Sequence, residues 1–177
     1  NKTTVFLEGE TDEKYYNKCL EVFNKTNLPI EFKWIGRINE KGNAENTGDT
    51  ALNQAKTFFT ANMEQIKSKI ILFYDNDTNK PEEDIHNLFI RKMKANTENL
   101  TFKIGVENLL NIEQIIDVKY FYKERTKKDE YGAESILREL DKTKLCTFIC
   151  DSLDIEKQKI VLKNIENEIE RLLTLKK

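Results

Sequence analysis

The sequence has little of what disulfide-rich, zinc-binding or membrane proteins require. Three cysteines and one histidine, His86, occur among 177 residues. The odd, scattered cysteines Cys19, Cys146 and Cys150 argue against a disulfide framework, and a lone histidine argues against zinc, although Cys146 and Cys150 share a helical spacing. No run approaches the roughly 18 apolar residues of a membrane helix, and no secretory signal is visible. We expect a cytoplasmic protein without membrane association.

The charge balance excludes a surface that is basic overall. Lysine and arginine number 29, aspartate and glutamate 31, and the net charge is −2. With 38% hydrophobic and 34% charged residues, the chain is expected to fold and to carry a heavily charged surface. A nucleic acid would therefore have to be bound through metal ions or a local basic patch.

Residues 119–131 are a candidate for such a patch because aromatic residues alternate there with cations. Aromatic rings can stack on bases while cations neutralise phosphates. An ordinary solvated loop remains the alternative interpretation. The residues concerned are Tyr120, Tyr122 and Tyr131 among Lys119, Lys123, Arg125, Lys127 and Lys128.

Alternating strand and helix patterns over 1–111 predict an α/β fold. Apolar or β-branched runs predict strands at 3–9, 30–36, 69–77 and 100–110. Helical patterns follow Thr11, Thr50 and Pro81, while 37–50 has the composition of a loop. This order predicts a Rossmann-like, four-stranded, mainly parallel sheet flanked by helices.

The second half of the chain lacks this alternation. Residues 112–132 show no clean period, 133–150 have a helical pattern, and 154–177 predict one amphipathic helix. We expect an α/β domain over 1–111 and a helical extension over 112–177 packed on it.

Acidic residues follow the predicted strands at their carboxyl ends. Glu8 ends the first strand, Asp75 and Asp77 the third and Glu107 the fourth, and Asp12 lies one helical turn beyond Glu8. Ligands of open parallel sheets gather at this edge. Crowded carboxylates take up protons unless a cation neutralises them, and Mg²⁺ or Mn²⁺ suits oxygen ligands. We predict one or two such ions, although each acid alone could be a helix cap or a solvated strand end.

Two motifs, "VFLEGETD" and "ILFYDND", resemble the TOPRIM domain of topoisomerases, primases and related nucleases. That family has a glutamate, usually followed by glycine, after its first strand and Asp-x-Asp after its third. Glu8-Gly9 and Asp75-x-Asp77 match these motifs. The chain is most similar to the overcoming-lysogenization-defect nucleases and their small stand-alone relatives, in which further acids correspond to Asp12 and Glu107.

Two weaker matches extend this resemblance. The "KGN" at 41–43 resembles a loop element between the second strand and its helix in those nucleases. "DKTKLC" resembles a helix whose leading lysine assists at the phosphate, which implies Lys142, with Lys144 as a competitor and a solvated helix face as the alternative. The resemblance covers 3–110 and lacks the ATPase that precedes the domain in full-length nucleases, so either this is the catalytic module alone or a separate ATPase protein is a partner that supplies ATP control.

The resemblance implies a Mg²⁺-dependent nuclease that hydrolyses DNA or RNA, in a setting such as bacterial defence against phage. The metal ligands would be Glu8, Asp12, Asp75, Asp77 and Glu107, and the catalytic residues Glu8, Asp75, Asp77 and Lys142. The alternative is a non-catalytic module that binds a partner protein or nucleic acid. In either case the C-terminal helix could join two copies as a homodimer.

Overall fold

The computed structural model describes residues 2–175 and has a mostly parallel β-sheet at its centre. Its strands are β1 (Thr3–Leu7), β2 (Ile30–Trp34), β3 (Arg37–Ile38), β4 (Ala44–Glu45), β5 (Ile70–Tyr74), β6 (Glu83–Ile85), β7 (Leu88–Lys92), β8 (Tyr122–Lys128) and β9 (Glu134–Leu140). Its α-helices are α1 (Glu10–Val22), α2 (Gly48–Ala61), α3 (Lys142–Thr147), α4 (Ile155–Val161) and α5 (Lys163–Leu173).

The central sheet has five strands in the order β2-β1-β5-β7-β6. The first four strands run parallel, and β6 pairs antiparallel with β7 at the edge. The predicted α/β class with a mainly parallel sheet is therefore confirmed. The predicted number of four strands is wrong because the hairpin β6–β7 was not foreseen.

Strand β5 lies in the middle of the sheet and contributes side chains to two hydrophobic cores, one on each face of the sheet. Ile71 and Phe73 face a cluster that contains residues of α1 and of the C-terminal helices. Leu72 and Tyr74 face a second cluster that contains Leu52 of α2. Successive side chains of a strand point to opposite faces, so a strand covered on both sides is apolar throughout.

The predicted helix after Pro81 is wrong, because residues 83–92 form the hairpin β6–β7. The turn has two residues, His86 and Asn87, and His86 has a φ of 54°. Short hairpin turns favour such left-handed conformations. The apolar residues Leu88 and Phe89 suit either a helix face or a buried strand, and pairing of β7 with β5 decides for the strand.

The predicted strand at 100–110 is also wrong, and β7 takes its place in the parallel sheet. Residues 93–110 form an irregular segment that ends in a 3₁₀ turn, Val106–Leu109. All four residues of this turn are buried. The turn brings its side chains toward the carboxyl ends of β1 and β5 without joining the sheet.

The C-terminal half differs from the prediction in two places. Residues 134–140 form β9, which pairs with β8 in a hairpin, where part of a helix was predicted. The helix predicted at 154–177 breaks at Leu162 into α4 and α5, and residues 176–177 lie outside the described residues. The smaller ribbon β3–β4 lies within the stretch that was predicted as a loop.

Helices α3 to α5 pack on α1, on one face of the sheet. Ile165, Ile169 and Leu172 of α5 are buried in the same cluster as Tyr15 and Tyr16 of α1. The predicted boundary at 111 stays a prediction, although both segments contribute to this shared core. Within residues 2–175, no helix is both long and apolar enough to cross a membrane.

Candidate functional site

The carboxylate of Glu8 meets the end of β5. Strands β1 and β5 are parallel neighbours with Leu7 paired to Phe73, so the residues that follow them emerge side by side. The Asp75 backbone N–H donates to Glu8 Oε1 at 2.9 Å. Sheet register therefore brings together the two acidic motifs that the sequence places 67 residues apart.

Glu8, Asp75 and Asp77 line an open cleft together with Asp49. Asp77 is exposed at its mouth, whereas Asp75 is partly buried. Asp49 lies in the first turn of α2. The start of this helix is bonded to Glu8, because the Glu8 carbonyl oxygen accepts from the Thr47 hydroxyl at 2.8 Å and from the Gly48 N–H at 3.0 Å. These bonds place a further acid beside Glu8.

Asp12 lies deeper in the molecule, in the first turn of α1. Its side chain is buried, and Asp12 Oδ2 accepts from the Gly9 N–H at 2.9 Å. An acid suits the positive end of a helix dipole. A Cβ on Gly9 would lie 3.2 Å from Asp12 Oδ2, so glycine at this position leaves room for the carboxylate.

Glu107 and Lys142 form an ion pair at the inner side of the site. Glu107 is 2% exposed in the 3₁₀ turn, and Lys142 Nζ lies 3.0 Å from Glu107 Oε2. Lys142 is the first residue of α3 and more than half of its side chain is exposed. Lys144 points elsewhere and donates to the Tyr120 carbonyl at 3.0 Å. The geometry thus brings Lys142, and not Lys144, to the carboxylates.

A network of asparagines holds the irregular segment that carries Glu107. Asn76, between Asp75 and Asp77, donates to Asn108 Oδ1 at 2.9 Å and accepts from the Gly105 N–H at 3.1 Å. Asn99 Nδ2 donates to the carbonyls of Glu107, Asn108 and Leu110. Because these side chains satisfy the backbone groups of a buried turn, they can fix the position of Glu107 without a sheet.

Gly105 brings the backbone close to the acids. It has a φ of 73°, and a Cβ there would lie 2.9 Å from Glu107 Oε2 and 3.6 Å from Asp75 Oδ2. Both the left-handed conformation and the contact favour glycine. The same Cβ position lies 3.5 Å from Lys142 Nζ, so three functional groups surround this one residue.

The crowded acids hold protons more strongly than exposed ones. Burial, together with repulsion from Glu8, raises the pKa of Asp75 to about 7. Burial also raises the pKa of Glu8, with further repulsion from Asp49 and Asp77. For Asp12, burial and then the charges of Asp75 and Glu107 raise the pKa well above its usual range. Full ionisation of these carboxylates is therefore unfavourable, and either bound protons or a cation would relieve the crowding.

Lys142 offsets part of this charge. Burial lowers its pKa, but Glu107 and then Asp12 and Asp75 outweigh burial, and the pKa is raised. The ammonium group therefore stays protonated at neutral pH, where it attracts both the carboxylates and any anion that enters the cleft.

Two carboxylate oxygens at the site are buried without a hydrogen-bond partner in the described residues: Asp75 Oδ1 and Glu107 Oε1. Buried acceptors are nearly always paired, so orphaned ones indicate a missing ion or water. Carboxylate oxygens are the donors that Mg²⁺ and Mn²⁺ favour, and the donor set fits such ions. Within residues 2–175, however, no group of three Asp, Glu, His or Cys side chains is already spaced to hold a metal.

Sequence reasoning missed Asp49, Asn76, Asn99, Asn108 and Gly105. Asp49 was hidden in a predicted loop, although an acid after a threonine is a common signal for a helix start. The asparagines carry no spacing pattern that would reveal a network. Residues 41–43 lie in the turn between β3 and β4 and do not line the acidic cleft.

The chain matches no protein-family model, no curated protein and no solved structure. The resemblance to TOPRIM domains thus depends on the sequence motifs, and the chemistry of the site is argued from its own residues.

Proposed function

We propose that the chain is a TOPRIM-type, Mg²⁺-dependent nuclease that hydrolyses phosphodiester bonds of nucleic acids. One observation carries the proposal: Glu8 and Asp75 meet at adjacent strand ends among other carboxylates, and Asp75 Oδ1 is buried without a hydrogen-bond partner within residues 2–175. Such an arrangement is unfavourable in itself and is explained by a divalent cation. Asp77 at the cleft mouth and Asp12 and Glu107 behind it extend the donor set.

The proposed chemistry divides among the residues of the cleft. Glu8, Asp75 and Asp77 would hold the metal ion, with Asp12 and Glu107 available for a second. A bound divalent ion polarises a phosphodiester and lowers the pKa of a bound water molecule. Lys142, whose Nζ lies 3.0 Å from Glu107 Oε2, would stabilise charge that develops on the phosphate.

A non-catalytic interaction module is the second candidate, and the Lys142–Glu107 ion pair favours it. This pair already neutralises one buried acid, and Asp75 can carry a proton at neutral pH. The site could therefore persist without a metal ion, and its acidic surface would then bind a basic partner.

A cleavage assay distinguishes the two candidates. The purified chain is incubated with plasmid DNA, single-stranded DNA and RNA in the presence of Mg²⁺ or Mn²⁺, or of a chelator. We expect metal-dependent cleavage by the wild type and a loss of at least about 100-fold in the Asp75→Asn, Asp77→Asn double variant, since both proposed ligands are weakened.

The matched control is Glu113→Gln, which removes the charge of an exposed acid outside the cleft. Cleavage that persists equally in the double variant would reveal a contaminating nuclease. No cleavage of any substrate, by a folded protein with either metal, would contradict the nuclease and favour the module.

Two features of the biological setting are also proposals. Nucleases with these motifs suggest a role in defence against phage, with ATP control supplied by a separate ATPase. A homodimer through the C-terminal helices would have to use α4, where Ile155 and Ile160 are exposed, because the apolar face of α5 is buried within the chain.

A further inference from the structure

The hairpin β8–β9 projects from the rest of the chain. Seven residue pairs form its antiparallel ladder, and all residues from 123 to 138 are exposed. Seven residues of a strand extend about 24 Å. A solvent-exposed hairpin of this length needs a reason, because isolated two-stranded ribbons gain little stability from packing.

The two faces of the hairpin differ in charge. Alternate residues of β8 place Lys123, Arg125 and Lys127 on one side, which we call the cationic face, about 7 Å apart. Across the ladder they oppose Glu139, Leu137 and Ser135.

Lys123 has a loose ion pair with Glu139 at 3.7 Å, and within residues 2–175 neither Arg125 nor Lys127 has a salt bridge. Two of the three cations on this face are therefore uncompensated.

The opposite face is balanced. Lys128 pairs with Glu134 at 2.9 Å, Glu124 lies across from Arg138, and the Arg138 guanidinium lies over the Tyr122 ring at 5.7 Å. The difference in net charge between the two faces therefore results from the strand register. A charge count over the whole segment does not show it.

The base of the hairpin adjoins the acidic cleft. The Asp141 N–H donates to the Phe121 carbonyl at 2.7 Å and closes the ladder. Asp141 then caps α3, and the next residue, Lys142, reaches Glu107. Lys123, at the base end of the row of cations, is thus paired with Glu139, three residues before Lys142.

We propose that the hairpin is a DNA-binding arm whose cationic face contacts the phosphate backbone of duplex DNA and guides it to the cleft. The inference rests on the proposed function for its substrate class. Uncompensated cations in a row supply the sequence-independent part of such binding. The acidic cleft would bind one phosphate through a metal ion. The cationic face of the hairpin would contact the other phosphates of the duplex directly.

Duplex DNA fits this surface better than other nucleic acids. A two-stranded ribbon can enter the major groove of B-form DNA, whereas the major groove of A-form RNA is too deep and narrow for side chains to read. Single strands are held by stacking on aromatic rings, and the cationic face presents none.

The test measures binding by the full chain of a fluorescent 20-base-pair duplex in chelator, which prevents cleavage, over a salt series. Arg125→Gln, Lys127→Gln removes two cations from the cationic face. Lys128→Gln, Arg138→Gln removes two from the opposite face of the same hairpin and is the matched control. We expect at least about 10-fold weaker binding for the first pair and less than about 3-fold for the second.

Two lost phosphate contacts should also reduce the slope of log affinity against log salt by about 1.8. The conservative pair Arg125→Lys, Lys127→Arg should bind within about 3-fold of wild type, which separates charge from fold. Thermal melting of each variant confirms that the chain is folded.

The proposal would be contradicted if both double variants lost duplex affinity equally, or if Arg125→Gln, Lys127→Gln lost none. It would also be contradicted if the wild type did not bind the duplex. A preference for single strands or duplex RNA would also contradict the proposal. So would duplex binding that is lost only when the exposed Ile136 is changed to serine, because the contact would then lie on the opposite face. Duplex binding that shows these differences, together with no cleavage of any substrate in Mg²⁺ or Mn²⁺, would contradict the nuclease but support the DNA-binding arm.

Discussion

The acidic cleft and the β8–β9 hairpin adjoin each other but are built in opposite ways. The cleft acids are fixed by sheet register, helix starts and side-chain bonds, and Glu107 is 2% exposed. The hairpin is held by its own ladder, and Tyr131 at its tip is 91% exposed. Groups that must share an ion need rigid support, whereas cations that follow a polymer backbone need only charge and reach.

The largest effect expected from this comparison is the difference between two lysines that lie two residues apart. Lys142→Ala should lower cleavage by about 100-fold or more, because a cation at the developing phosphate charge is lost. Lys144→Ala should change it by less than about 3-fold, since Lys144 donates to Tyr120. Single-turnover rates at saturating metal measure both, and equal losses would remove Lys142 from the site.

Two glycines with positive φ provide a second contrast. Gly105→Ala and Gly132→Ala both place a side chain on a residue with positive φ, which costs about 1–3 kcal/mol. At Gly105 the added Cβ would lie 2.9 Å from Glu107 Oε2, whereas at Gly132 no atom of residues 2–175 lies within 4 Å of it. We therefore expect Gly105→Ala to lower the melting temperature more than Gly132→Ala does, by about 2–4 °C for each additional kcal/mol. Gly105→Ala should also weaken metal binding.

Comparable metal affinity in both glycine variants would mean that the backbone of residue 105 does not shape the site. A larger destabilisation at Gly132 than at Gly105 would contradict the assigned rigidity of the cleft.

The pH dependence of stability tests the crowding of the acids. The pKa of Asp75 is raised from 3.8 to about 7 in the folded state, so between these values the folded chain binds more protons than the unfolded chain. Stability in metal-free buffer should therefore fall as the pH rises from about 4 to about 7.

The raised pKa values of Glu8 and Asp12 act in the same direction. Thermal melting from pH 5 to pH 8 in chelator measures the fall, and Asp75→Asn should flatten it, with Glu113→Gln as the unchanged control. A wild type that becomes more stable over this range would contradict the crowding.

The smallest effect is expected in the hairpin. Ile136 is 68% exposed, so Ile136→Ala should change the free energy of unfolding by less than about 0.5 kcal/mol. The matched core change, Leu72→Ala in β5, should cost about 2–5 kcal/mol because it leaves a cavity. Denaturant unfolding compares them, and a large loss at Ile136 would show that the hairpin packs against something.

Residues under strong local constraints could be predicted from sequence. The apolar run of β5 with its trailing acids predicted both the central strand and the position of Asp75, because burial on two faces leaves few alternatives. Glu8 was predicted because it ends an apolar run and is followed by Gly9, and the parallel pairing of β1 with β5 brings it to Asp75.

The rest depended on partners distant in the chain. The run 88–92 suits a helix or a strand, and only pairing with β5 decides. Glu107 was expected at the end of a fourth strand, whereas asparagine bonds and a 3₁₀ turn bring it near Asp75. The hairpin β8–β9 was missed because neither of its faces is buried, which leaves no hydrophobic alternation to read.

The most direct test of the central claim is calorimetric titration of Mn²⁺ into the wild type and into Glu8→Gln and Asp75→Asn, at pH 6 and pH 8. If these carboxylates share a cation, the wild type binds Mn²⁺ more tightly at pH 8, as competing protons leave, and each variant loses at least about 10-fold in affinity. Absence of binding to the wild type, or equal affinity in all three proteins, would contradict the shared cation.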